Sequence, residues 1–377
     1  MARPQVNQIY TLVNEIFSQM TGRSDIKAVD TASLVSMGKD INNLGLNDIW
    51  LNTLCRRIGY TIDGYRAYRN MFADLYRTQV EWGAIVQKLT VEMPDAVEDK
   101  MPDVGQMDGQ SLDHYIINNP KARQKIFDKE TPYSFFITMQ TKYLREAFLS
   151  EQAMSAFIAQ IFGKVQNKIE VVLEDLGRLA INNYMLNADD KQVFNLVTIY
   201  NGIADPATPL TAQTALFDEK FLAWATGFIN NILVKMRSMS VLFNAEGYQR
   251  FTPDADRKLY MLSDFSTQIA TTVQYKAFND AKVDVSGATL VPYWQATKDT
   301  TGANEFATLS KIMGTDKTLT NVVAFACDRE AVGTFRQEEQ VLTTPVNARG
   351  AYYNTFWHEN QLWFNDLSEN GVIFTLN

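Results

Sequence analysis

Histidine and cysteine are almost missing from this 377-residue sequence, with two of each: His114 and His358, Cys55 and Cys327. So few histidines exclude most histidine-built metal centres and argue against a nucleophile activated by an imidazole. His358, beside Trp357, reads as a structural histidine. The two cysteines lie far apart in apolar settings, NTLCRRIG and VVAFACD, and read as buried free thiols. No Gly-rich phosphate loop ending in Gly-Lys-Ser/Thr occurs, and no G-x-G-x-x-G, G-x-S-x-G or zinc-spaced Cys/His pair. There is no basic-then-apolar leader, no N-x-S/T acceptor and no apolar run near the length of a membrane span, so a soluble product of a reducing cytoplasm is expected. Basic charge is also short. The net charge is −8, against a chain that grips nucleic acid through a basic face. Most of the excess is local: Glu92, Asp95, Glu98, Asp99, Asp103, Asp108 and Asp113 face only Lys100. The adjacent acids Glu174/Asp175, Glu338/Glu339 and Asp189/Asp190 read as solvated surface, because neighbouring side chains diverge on a helix or strand. A carboxylate-based hydrolase would need two such acids to face each other across a cleft. The Arg56–Arg57 doublet reads as cations closing a helix.

What the sequence does have is apolar and aromatic surface. Hydrophobic residues make up 46%, with 22 Phe, 16 Tyr and 6 Trp, while charged residues reach only 21%. That balance suits large contact surfaces, and a large core equally well. From Ser150 to Leu186, Phe157, Ile161, Val165, Ile169, Val172, Leu176 and Leu179 recur every three or four residues, with Tyr184 following five on. This spacing predicts one long amphipathic helix, with Ser150 as its N-cap; a core helix of an ordinary α/β enzyme shares the periodicity. Pro4–Met20 predicts a helical arm with Val6, Ile9, Tyr10, Val13, Ile16, Phe17 and Met20 on one side. Leu46–Ile58 predicts a second helix, stopped by Gly59. Tyr60–Met93 alternates like strands and predicts a two-stranded extension, marginal on its own. An acidic loop and two helical pieces, including MQTKYLREAF, lead into the long helix. Beyond it the pattern predicts a strand at Lys191–Tyr200, a helix at Ala212–Met239, strand Lys258–Leu262, helix Phe265–Phe278, and strands Leu290–Tyr293 and Val322–Ala326. RGAYYNTFWHE, NQLWFND and GVIFTL close the chain as strands.

Four stretches in this order carry a resemblance: LCRRIGYTI before the extension, MQTKYLREAF before the long helix, that helix with INNYML, and VNARGAYYNTFWHENQLWF near the end. The chain resembles major capsid proteins of tailed bacteriophages with the Hong Kong 97-like fold, particularly those of small podoviruses of the phi 29 type. The resemblance implies an α+β fold with an N-terminal arm at 1–59 and an extended β-hairpin arm, or E-loop, at 60–93. It implies a peripheral domain at 94–204 with its spine helix at 150–187, an axial domain at 205–346, and peripheral return strands at 347–377. It further implies hexamers and pentamers forming an icosahedral or prolate shell, and neither catalysis nor a cofactor. The implied partners are a separate scaffolding protein, a portal at one vertex and packaged DNA held without sequence-specific contacts, with no membrane. The implied location is the virion, assembled in the host bacterial cytoplasm. A nanocompartment shell of the encapsulin type shares the fold. Because Arg, Tyr and Trp dominate interface energetics, the extension contacts are expected at Tyr65, Arg66, Arg69, Phe72, Tyr76, Arg77 and Trp82. Deleting Arg66–Gln87 is expected to leave a folded subunit that forms no particles.

Overall fold

The computed structural model describes residues 6–377 apart from 24, 47–48, 51–52, 55–67, 78–84, 92–116, 118, 120, 129, 207, 274–286 and 296–305. Helix α1 (Val6–Thr21) buries Ile9, Leu12, Val13, Ile16 and Phe17, the i, i+3, i+4 stripe of an amphipathic helix. Helix α2 (Thr31–Asn43), which the pattern did not reveal, starts on a capping box: Asp30 accepts from the Ser33 backbone N–H, and Ser33 Oγ accepts from the Asp30 N–H. Ile49, Trp50, Thr53 and Leu54 are helical, as expected, with Trp50 and Leu54 buried; Arg56, Arg57 and Cys55 lie outside the described residues.

Strand β1 (Val86–Val91) is antiparallel to β2 (Ala122–Phe127), a partner beyond the acidic segment; of the two-stranded extension expected over Tyr60–Met93, residues 60–67, 78–84 and 92–93 lie outside the described residues. The helical piece expected ahead of α3 (Thr141–Ala147) is instead strand β3 (Glu130–Gln140). Its alternation sets Tyr133, Phe135, Ile137 and Met139 on one face, a period of two that only a strand can use. The long helix α4 (Glu151–Asn187) is continuous, with Ser150 Oγ accepting from the Ala153 N–H at 3.1 Å. Leu179, placed on its buried stripe, is instead 54% exposed.

Past α4 the strand β4 is short (Val193–Asn195), and Leu196–Ala204 forms helix α5 where strand had been expected through Tyr200. Tertiary contact overrides β-propensity there. Leu196 and Val197 are buried in the core, and the Asn377 carbonyl accepts from both the N–H and the hydroxyl of Thr198. The helix expected over Ala212–Met239 is broken into α6 (Ala212–Ala215) and α7 (Glu219–Lys235), because Asp218 turns and caps the Phe221 N–H at 2.7 Å. Strand β5 (Arg257–Leu262), helix α8 (Ser263–Val273), strand β6 (Ala288–Val291), helix α9 (Phe306–Leu309) and the small pair β7 (Ile312–Met313) and β8 (Thr318–Leu319) follow. The fully buried β9 (Val322–Asp328) leads to β10 (Val332–Thr343), β11 (Tyr352–Asn365) and β12 (Gly371–Thr375). RGAYYNTFWHE and NQLWFND therefore form one continuous strand.

Two sheets organise the molecule. The first is antiparallel, in the order β10–β11–β3; the second is mixed, in the order β4–β12–β9–β5–β6. In the first, β10 joins β11 and β3; in the second, β4 and β12 join β9 and β5. One core gathers α1, α2, α3 and the first half of α4 under the three-stranded sheet; the other packs α5, α7, α8 and the end of α4 on the five-stranded sheet. Helix α4 spans both, from Met154 in one core to Met185 in the other.

Candidate subunit interface

Where the two cores meet, a strap of chain from Tyr68 to Arg77 crosses α4. Glu174 and Arg178 lie one helical turn apart, both 1% exposed, and form an ion pair; Arg178 Nη1 also reaches Asp175 at 3.3 Å. Glu174, read as solvated from its neighbour Asp175, is therefore a buried charge, and it is tolerated because it is paired. Tyr68 Oη donates to Glu174 at 2.5 Å, and the backbone N–H groups of Tyr68 and Asn70 donate to Asn167 and Glu170. Burial, and then the Glu174 carboxylate, push the Tyr68 hydroxyl well above the usual phenol range, so it stays a donor. The Arg178 guanidinium stacks 4.3 Å from the Tyr293 ring centroid and 5.8 Å from that of Phe72. Phe72 itself sits against Gly177, where an added Cβ would come within 3.0 Å of the Phe72 Cβ.

Of the seven residues expected to contact a neighbour, Tyr65, Arg66 and Trp82 lie outside the described residues, and Arg69 is exposed. The other three are engaged within their own chain. Phe72 is 1% exposed; Tyr76 bridges to Thr334 and meets the Trp363 ring edge-on. Arg77 lies over Phe364 at 5.0 Å and Phe335 at 5.8 Å, and donates to the Arg329 carbonyl at 2.5 Å.

The β1–β2 hairpin supplies what the strap does not. Its register pairs Lys88 with Lys125, a like-charge cross-strand pair that is unfavourable unless anions meet it. They do: Lys88 reaches Asp366 at 2.8 Å, Glu369 at 2.5 Å and Glu330 at 3.0 Å, while Lys125 reaches Asp366 at 2.8 Å and Glu246 at 2.5 Å. On the same face Thr90 accepts from Arg250, Arg123 covers the Tyr248 ring, and Phe127 packs on Phe364. Burial opposes the Asp366 charge, but hydrogen bonds from Lys125, Lys88 and Ser368 outweigh it and hold the carboxyl at about 2. Glu369 goes the other way, raised by burial despite Lys88.

The opposite face of the hairpin presents exposed apolar side chains around the hydrogen-bonded Gln87–Gln124 pair. Ile85, Leu89, Val91 and Ile126 are all more than half exposed, and the register puts Leu89, Val91 and Ile126 on one side. Sequence reasoning saw the alternation at Leu89 and Val91 and missed the partner, because ARQKIF carries only Ile126 and Phe127 as large apolar residues. Phe136 and Phe356 lie opposite each other on β3 and β11, with Leu342 next in line on β10; Phe136 and Leu342 add further exposed apolar surface. Among the described residues no group of three or more metal-binding side chains converges, and no helix is long and apolar enough to cross a membrane.

Comparison with known proteins agrees with this picture of an architectural chain. The family model described as Phi29-like phage major capsid protein matches residues 11–375. The chain is 22% identical to the major capsid protein of Bacillus phage B103 over 98% of this chain and 73% of that protein, and to the major capsid protein of Bacillus phage PZA with the same identity and coverage. In fold it is similar to a chain of the capsid structure of Staphylococcus phage Andhra (TM-score 0.56, 14% identity, 84% of this chain and 86% of that one). It is also similar to a chain of the native bacteriophage P68 structure of head fiber and inner core protein gp22 (TM-score 0.58, 13% identity, 84% and 88%).

Proposed function

The chain belongs to the family of Phi29-like phage major capsid proteins, and from that membership we propose how it builds its shell. It is a major capsid protein of a phage virion with the Hong Kong 97-like fold, and its role is structural. In the proposal, subunits close into hexamers and pentamers, and these tile an icosahedral or prolate head around packaged double-stranded DNA. The β1–β2 hairpin is the extension that lies on a neighbouring copy, with Leu89, Val91 and Ile126 as its contact face beside Ile85; Tyr65, Arg66, Arg69 and Trp82 are proposed as further contacts with that copy. Phe72, Tyr76 and Arg77 root that extension in its own subunit. The three-stranded sheet with the first half of α4 forms the peripheral domain, the five-stranded sheet with α5, α7 and α8 the axial domain, and α1, α2 and the helical turns to Leu54 the N-terminal arm.

A net charge of −8 suits a wall that packaged DNA slides along without sequence-specific contacts. A separate scaffolding protein, a portal at one vertex and assembly in the host bacterial cytoplasm complete the proposal. Catalysis has no part in it. The observation that carries the assembly reading is the division of the hairpin into an ionic face turned to its own subunit and an apolar face turned away. Such a face gains roughly 25 cal/mol for each Å² buried when a second copy covers it. The test is electron microscopy of the protein expressed with its genomic neighbours, followed by nuclease treatment and extraction of the contents. Closed shells that protect DNA support the proposal; shells holding only a protein cargo, or a dispersed monomer, overturn it.

A further inference from the structure

We propose that the β1–β2 hairpin is a two-position arm, clasped against its own subunit by the ion cluster around Lys88 and Lys125 and released when that cluster is screened or broken. The inference rests on the reading that the hairpin's outer face meets a second copy.

Three observations carry it. The first is how the arm is tied down. On one side the chain is fixed at Arg77, over the rings of Phe335 and Phe364; on the other β3 begins at Glu130, paired with Leu362, with two residues separating it from the end of β2. Phe127, packed on Phe364, sits at this root and provides the pivot.

The second is the chemistry of the clasp. Beyond that root, ion pairs, a hydrogen bond and a cation–π contact hold the hairpin among the described residues. Lys88 and Lys125 share Asp366, whose side chain is fully buried, and reach Glu369, Glu330 and Glu246. Arg250 bonds both Thr90 and Glu369, and Arg123 lies over Tyr248. The lysine side chains are 19% and 33% exposed, so bulk ions can reach them. Asp366 belongs to a separately anchored turn: its N–H donates to the Ala331 carbonyl, and the Ser368 N–H and hydroxyl donate to its side chain. The anion therefore stays in place when the arm leaves. Undocking separates these charges from their partners.

The third is the mismatch between the two faces. A docked arm exposes Ile85, Leu89, Val91 and Ile126 to water, while its inner face satisfies ions. A neighbour that covers the outer face stabilises either position; a cluster that holds the inner face stabilises only the docked one. The clasp thus sets the bias between docked and free arms before copies meet.

The test uses dispersed full-length subunits with Cys55 replaced by serine and spin labels at Gln124→Cys on β2 and Lys220→Cys on α7, both exposed positions. Pulsed dipolar spectroscopy at low salt is expected to give one narrow, short distance. Raising salt to about 1 M, where the screening length is ~3 Å, is expected to add a longer, broader population. The double variant Lys88→Met/Lys125→Met, which keeps the aliphatic stems, is expected to show that longer population at low salt already. Lys88→Arg/Lys125→Arg is expected to restore the short distance. An unchanged distance in unaltered protein at high salt overturns the inference, and so does an unchanged distance in a folded methionine variant. Particle formation is scored separately by microscopy: an immobile arm in subunits that still form shells defeats the clasp alone. A mobile arm in subunits that never assemble defeats the assembly reading.

Discussion

Glu174 and Asp175 are neighbours in sequence, yet one is sealed inside the molecule and the other is partly open. Removing one partner of the Glu174–Arg178 pair strands the other, at a cost of about 3–5 kcal/mol. Glu174→Ala is therefore expected to lower unfolding stability by that order in a denaturant titration. The same titration should show a smaller loss for Tyr68→Phe, which removes one hydrogen bond to a charged group, about 1.5–3 kcal/mol. Gly371 gives a second strict position. A Cβ there would lie 2.5 Å from the ring of Tyr184, which is fully buried and donates to the Glu369 carbonyl at 2.8 Å. Gly371→Ala is expected to destabilise by roughly 1–3 kcal/mol, measured as a fall in the denaturation midpoint. Neither constraint was legible in the sequence. The burial of Glu174 goes with a strap that arrives from a hundred residues away, and the closeness of Gly371 to Tyr184 with a fold already formed.

Elements with their own periodicity and caps were the readable ones. The α4 helix announced itself through Ser150 and a stripe of apolar residues, β9 through an unbroken apolar run, and β12 through GVIFTL. Those that failed take their identity from a partner. Leu196–Tyr200 is helical because Asn377 and α7 hold it, and β3 is a strand because β11 pairs with it along its whole length. The hairpin was half seen, since its second strand is polar for reasons that appear only when Asp366 and Glu246 stand opposite. That cluster has a pH signature. Asp366 is held at about 2, below the ~3.9 of an unfolded aspartate, so its contribution is complete above the unfolded value and is lost as pH falls toward 2. Asp366→Asn is expected to flatten this acid limb of the stability curve; an unaltered limb would mean that other carboxylates set it.

The whole subunit has two cores strung on one long helix, with an arm whose outer apolar side chains Leu89, Val91 and Ile126 are more than half exposed. Deletion of Arg66–Gln87 is no longer the way to silence that arm: it would remove Phe72 and Leu75 from the core and unfold the body with it. Charges placed on the outer face act more narrowly. Leu89→Glu/Ile126→Glu leaves both cores and the ion cluster intact, so the subunit is expected to keep its melting temperature within a few degrees. The measurement that tests the assembly account most directly is cryo-electron microscopy of this double variant beside the unaltered protein, both expressed with their genomic neighbours. The account predicts closed shells from the unaltered chain and folded, dispersed subunits from the variant; normal shells from the variant would contradict it.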